Sequence, residues 1–138
     1  MKTIALIASI LVCLTACHRG TNTALKTLTV DADSVAINYF RGDGSVDTVV
    51  AVKILRDKND INQLVNFITE NSTSAKANCG YDGTIHFFRQ DSVVQDIYFR
   101  MNDANCMLFS FRNGEKWNMA STILSGEAKA FLQAIKSK

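Results

Sequence analysis

The side chains able to do chemistry in this 138-residue chain are few: four cysteines, two histidines and thirteen carboxylates. Only His86 falls within the patterned part of the chain, so any imidazole base, zinc site or triad must be built on it. Zinc needs several His or Cys ligands at set spacing, and beside His86 only Cys79 and Cys106 remain. A serine triad would need a Gly-x-Ser-x-Gly elbow, which the chain lacks. A thiol nucleophile would pair Cys79 with His86, and nothing near Cys79 in the sequence acidifies its sulfur. Asp31-Ala32-Asp33 and Asp57-Lys58-Asn59-Asp60 hint at calcium, but neither sits in a loop with a central glycine and a closing glutamate. Turn and cap roles account for both. Glu70, Glu115 and Glu127 are scattered and do not mark out a glycosidase acid pair. Gly80-Tyr81-Asp82-Gly83 lacks the phosphate-loop spacing and its lysine, and reads as a turn into a strand. The sequence therefore offers no catalytic set, no metal site and no cofactor, and the expectation is a protein that is not an enzyme.

Periodicity supplies the frame for these residues. From Leu28 to Phe40, Val35, Ile37 and Tyr39 alternate with Ser34, Ala36 and Asn38, which is a strand period. Arg41-Gly42-Asp43-Gly44-Ser45 is a turn cluster, and Val46 to Leu55 a second β-branched run, together a hairpin. Asp57 then caps a helix whose face carries Ile61, Leu64, Val65 and Ile68, broken by Asn71-Ser72-Thr73-Ser74. Four strands follow as a meander, over Thr84–Arg89, Val93–Met101, Cys106–Phe111 and Glu115–Met119. Ile85 with Phe87, Ile97 with Phe99, and Met107 with Phe109 and Phe111 share faces, which leaves His86 on the opposite one. For the last hairpin, a three-residue loop at Arg112-Asn113-Gly114 sets Phe109 against Trp117 and Met107 against Met119. Ser125 caps a closing helix with Ala128, Phe131, Leu132 and Ile135 on one side. The predicted fold is α+β: an antiparallel sheet of about six strands, in the order ββ-α-ββββ-α, with two helices on one face.

The beginning of the chain gives an address. Met1-Lys2 is positive, Ile4 to Leu14 is apolar, and Leu14-Thr15-Ala16-Cys17 ends the run in small residues and a cysteine. This segment resembles the signal peptide and lipobox of bacterial lipoprotein precursors. The resemblance implies a diacylglyceryl group on the thiol of Cys17, cleavage after Ala16 and acylation of the freed amine. Cys13 lies inside the apolar run and is not the modified residue. The run is too short to span a bilayer, at about 16 Å of helix against roughly 30 Å of hydrocarbon. Three segments are thus expected: 1–16 as signal peptide, 17–26 as lipidated cysteine and flexible tether, and 27–138 as one domain. His18 follows Cys17 in place of the aspartate that favours inner-membrane retention in enterobacteria, so in a cell with two membranes the outer one is favoured. The remainder carries a general likeness to small envelope lipoproteins of Bacteroidota, from which no functional residue transfers. An exported, lipidated chain leaves Cys79 and Cys106 as an even pair in a disulfide-permissive compartment, and the resemblance implies that they bond to each other.

Loss of residues 1–16 takes away Lys2 and leaves 14 basic against 13 acidic residues, a formal charge of +1. The basic residues are scattered, so nucleic acid is not an expected partner; the membrane, reached through the lipid, and an envelope protein are. Asp33-Ser34-Val35, Asp47-Thr48-Val49 and Asp91-Ser92-Val93 resemble the Asp-Ser/Thr-aliphatic signal for O-glycosylation in Bacteroidota, with turn aspartates as the competing account of Ser34, Thr48 and Ser92. On the sheet face away from the helices, Tyr39, Phe88 and Tyr98 are expected as a binding patch, unless they form a second, smaller core. The function that follows is a membrane-anchored binding or interaction module. An inhibitor or immunity-type lipoprotein acting on a partner enzyme, or a small hydrolase, stands as the alternative.

Overall fold

The computed structural model describes residues 21–46, 48–74, 78–112 and 119–138. Cys17 and the lipobox, Asp47 and the turn at Asn113-Gly114 lie outside them. The fold is α+β, with strands β1 (Ser34–Phe40), β2 (Val49–Leu55), β3 (Ser72–Thr73), β4 (Gly83–Arg89), β5 (Ser92–Arg100), β6 (Leu108–Arg112) and β7 (Met119–Ile123). They form one antiparallel sheet in the order β2-β1-β4-β5-β6-β7-β3. Three helices, α1 (Thr23–Thr29), α2 (Lys58–Thr69) and α3 (Gly126–Ser137), pack on one face. The seventh strand is the two-residue β3, within the stretch that ends the α2 pattern.

The two longer helices form where capping and periodicity agree. Asp57 accepts the N–H groups of Asn59 and Asp60 at 2.9 and 3.1 Å, and Ile61, Leu64, Val65 and Ile68 of α2 are buried. Ser125 accepts the N–H of Ala128 at the start of α3, and Phe131 meets Phe67 of α2 at 5.7 Å between ring centroids. α1 corrects the expected tether, because the chain is packed from Asn22 onward. A seven-residue helix is marginal alone. Here the Asn22 side chain caps it, the Thr27 and Thr29 hydroxyls donate back to Thr23 and Leu25 carbonyls, and Leu25 reaches the core. The Asn22 N–H also donates to the Thr69 carbonyl of α2 at 2.8 Å.

Beneath the helices lie Val35, Ile37, Ile85, Phe87, Ile97, Phe99, Phe109 and Phe111, the alternating residues of the four central strands. Tyr39 lies with them, which corrects its expected place in an exposed patch. It is two residues beyond Ile37 on the same strand face, fully buried, and donates its hydroxyl to the Leu132 carbonyl of α3 at 2.7 Å. Gly83 allows the closest approach in this layer: a Cβ there would overlap the Asn38 carbonyl oxygen and the Phe99 ring.

The last hairpin differs from its expected register. Phe109 pairs with Thr122 rather than Trp117, and Met119 pairs with Arg112 rather than Met107. β7 runs over Met119–Ile123, while residues 115–118 of the strand read over Glu115–Met119 lie outside the described residues. The reason lies in hydroxyls: Thr122 is buried because it donates to the Ile68 carbonyl at 2.6 Å, and Ser121 because it shares a bond of 3.1 Å with Ser110. Satisfied in this way, a Ser-Thr strand can sit in the sheet.

Candidate functional site on the helix-free sheet face

The registers fix which side chains meet on the uncovered face. One row runs Ile54, Ala36, His86, Asp96 across β2, β1, β4 and β5. The next runs Val52, Asn38, Thr84, Tyr98, Ser110 and on to Ser121 of β7. Phe88 lies beyond His86 along β4, opposite Ser34 on one side and Val93 on the other. Of the expected patch, Phe88 and Tyr98 are therefore on this face, half-buried and exposed respectively, on either side of the His86–Asp96 pair.

His86 is more connected than its sequence position reveals. Its Nδ1 lies 2.6 Å from Asp96 Oδ1, and its Nε2 lies 3.0 Å from Thr84 Oγ1 and 3.1 Å from Asn38 Nδ2. In the neutral imidazole, Nδ1–H donates to the carboxylate and Nε2 accepts. Carboxylate, imidazole and hydroxyl stand in the order that activates a nucleophile. Two features keep the arrangement from working as one. Asn38 competes for the same Nε2 lone pair, and β4 is hydrogen-bonded on both sides by β1 and β5, so its ladder N–H groups are committed and cannot cradle an oxyanion. The arrangement is a polar brace joining β1, β4 and β5.

Above this brace the residues from Asn78 to Asp82 fold onto the sheet. Cys79 is bonded to Cys106 with 5.6 Å between Cα atoms, which fastens the segment to the lead-in of β6. Gly80, at φ +61°, lies against the Gly44 carbonyl where a side chain would not fit. Tyr81 rests on Tyr98 at 4.7 Å between centroids, and burial, then its neighbour Tyr98, pushes its hydroxyl pKa upward. A cavity of about 260 Å³ lies under the segment, lined by Cys79, Tyr81, Arg100, Leu108 and Ser110 among others. Asp82 organises this end: its carboxylate accepts the Met101 and Asn102 N–H groups at 2.7 and 2.8 Å and an Arg100 Nη1. Its backbone ties in Phe40 and Phe99 as well. Sequence reading treated Asp82 only as part of a turn. The signal available was an acid between two glycines at a strand entry.

The three glycosylation-like sites do not converge. Ser34 is half-buried at the start of β1 and donates to Asp33 at 3.2 Å, and Ser92 is exposed at the start of β5. Those two share a corner, because Asp33 Oδ2 accepts the Gln90 N–H in the β4–β5 turn at 2.7 Å. Thr48 stands at the opposite end before β2, accepting from Arg41 at 3.0 Å. Asp31 and Asp57 take the turn and cap positions expected, near Arg89 and at the start of α2. Among the described residues no group of His, Cys, Asp or Glu could hold a metal, and no helix is long and apolar enough to cross a membrane. No protein-family model, curated protein or solved structure matches this chain.

Proposed function

We propose that this chain is a lipid-anchored envelope protein, held to a membrane by acyl groups on Cys17, that works as a small binding module through the helix-free face of its sheet. One observation carries the contact surface. All three helices cover the same side; on the other, Phe88 and the apolar row of β2 lie clear of the helices, and Tyr98 stays 36% exposed beside Tyr81 of the segment that folds onto part of this face. The anchor is supported by the lipobox-like Leu14-Thr15-Ala16-Cys17, and export by the Cys79–Cys106 bond, since disulfides persist in oxidising compartments. Several chains on one cysteine make attachment effectively permanent, at roughly 0.8 kcal/mol per buried methylene. An inhibitor or immunity-type lipoprotein is the special case in which the partner is an enzyme. The hydrolase reading draws on the Asp96–His86–Thr84 line and stands second, for lack of oxyanion donors.

The test is metabolic labelling with palmitate and fractionation. The wild-type chain should take up label and sediment with membranes, while Cys17→Ser should lose both; an unlabelled wild-type chain overturns the anchor. For the contact surface, Tyr98→Glu should abolish a stoichiometric envelope complex without loss of the disulfide. Retention of that complex overturns the surface.

A further inference from the structure

The two edges of the sheet are built differently. At one end β3 contributes two residues, too short to recruit another strand. At the other, β2 is seven residues long and borders only β1 among the described residues. Edges are usually protected by charges, proline or bulges. The chain has no proline, β2 has one charge, Lys53, and its irregularity is confined to the end near Val50. Val50, Val52 and Ile54 point away from the helices and are 51, 55 and 56% exposed.

We infer that β2 is the seam of a homodimer, two copies joining their sheets antiparallel about a two-fold axis through Val52. The choice of a second copy as occupant comes from the residue pattern. To keep both helix layers on one side, residues facing away from the helices must oppose residues of the same kind. An axis through Val52 puts Val50 opposite Ile54 of the second copy, Val52 opposite itself, and Lys53 opposite Ala51. A single apolar row then crosses the seam with no like charges directly opposed. Moving the axis to Lys53 opposes two ammonium groups, and moving it to Ala51 leaves Ile54 facing Thr48. The strip behind the row is uncharged as well, with Ser34, Ala36 and Asn38 of β1. A two-fold interface needs a self-complementary patch, and this sequence supplies one. The joint is narrower than the roughly 800 Å² per partner of a standard interface, so it forms where copies are concentrated on one membrane. In its occupancy, though not its geometry, it rests on the acyl-anchor reading above.

Cysteine cross-linking of the full chain in envelopes tests it. Val52→Cys should give a disulfide dimer of twice the chain mass on oxidation, and so should co-expressed Val50→Cys and Ile54→Cys copies. Val50→Cys alone and the exposed Ser92→Cys should give at least tenfold less. A Val52→Cys chain that stays monomeric, that cross-links no better than Ser92→Cys, or that joins a protein of another mass overturns the homodimer. The unsubstituted chain separates this failure from that of the anchor: an acylated Cys17 cannot cross-link, so a dimer band from it refutes acylation and leaves the Val52 comparison to be made with Cys17→Ser.

Discussion

Removing the charge of Asp82 is the sharpest test of how the upper end of the sheet is held. The Asp82 side chain is 1% exposed and that of Arg100 12%, and one carboxylate oxygen receives both the Met101 and Asn102 N–H groups. In Asp82→Asn the amide oxygen can keep the two backbone donors, but its NH2 then faces the Arg100 guanidinium, donor against donor. A lost bond to a charged group costs about 1.5–3 kcal/mol, and breaking a buried pair about 3–5 kcal/mol. The partial exposure of Arg100 puts this variant near the lower part of that range, at about 3 kcal/mol. Against a total stability of roughly 6–17 kcal/mol for a domain of this size, that is a large fraction. Urea unfolding followed by far-UV circular dichroism should show a lower midpoint with unchanged slope, and the melting temperature should fall by about 12 °C. Adding Arg100→Met to Asp82→Asn should recover about 1 kcal/mol, since the stranded charge goes too. A loss below about 1 kcal/mol for Asp82→Asn, or strict additivity in the double variant, would refute the account.

Gly83→Ala should cost about 3 kcal/mol or more, because the added carbon overlaps the Asn38 carbonyl and the Phe99 ring; a variant as stable as the parent in the same urea titration contradicts the packing described. Replacing Cys79 and Cys106 by serine should remove roughly 3.5 kcal/mol by chain entropy, and unchanged stability would show the bridge to be idle. Asp33 has a pKa held below its ordinary 3.8, first by the Gln90 N–H, so its bond stabilises the fold above that value and fades as pH falls through the lower folded value. Asp33→Asn should therefore flatten the acid limb of the stability curve below about pH 4, and an identical limb would show that the bond is not linked to folding.

Helices α2 and α3 were legible because cap and apolar stripe coincide, and the central strands because Ile85, Phe87, Ile97, Phe99, Phe109 and Phe111 alternate with polar partners. Tyr39 was expected in the exposed patch, although the alternation that groups it with Val35 and Ile37 already puts it under the helices. Three features were not legible. α1 carries three threonines in seven residues and exists through the Asn22 cap and its docking on α2. β7 reads as polar, and the hydrogen-bond partners that let Ser121 and Thr122 be buried come from β6 and α2. The Asp96–His86 contact depends on a register interrupted between Phe87 and Phe88, which no local pattern announces.

The docking of α1 shortens the leash. Its cap at Asn22 is five residues from Cys17, a stretch that reaches at most about 17 Å when fully extended. Under the acylation proposed for Cys17, the body would be held closer to the lipid surface than its own width of roughly 30 Å. A partner of the proposed module would then have to be met at the membrane plane.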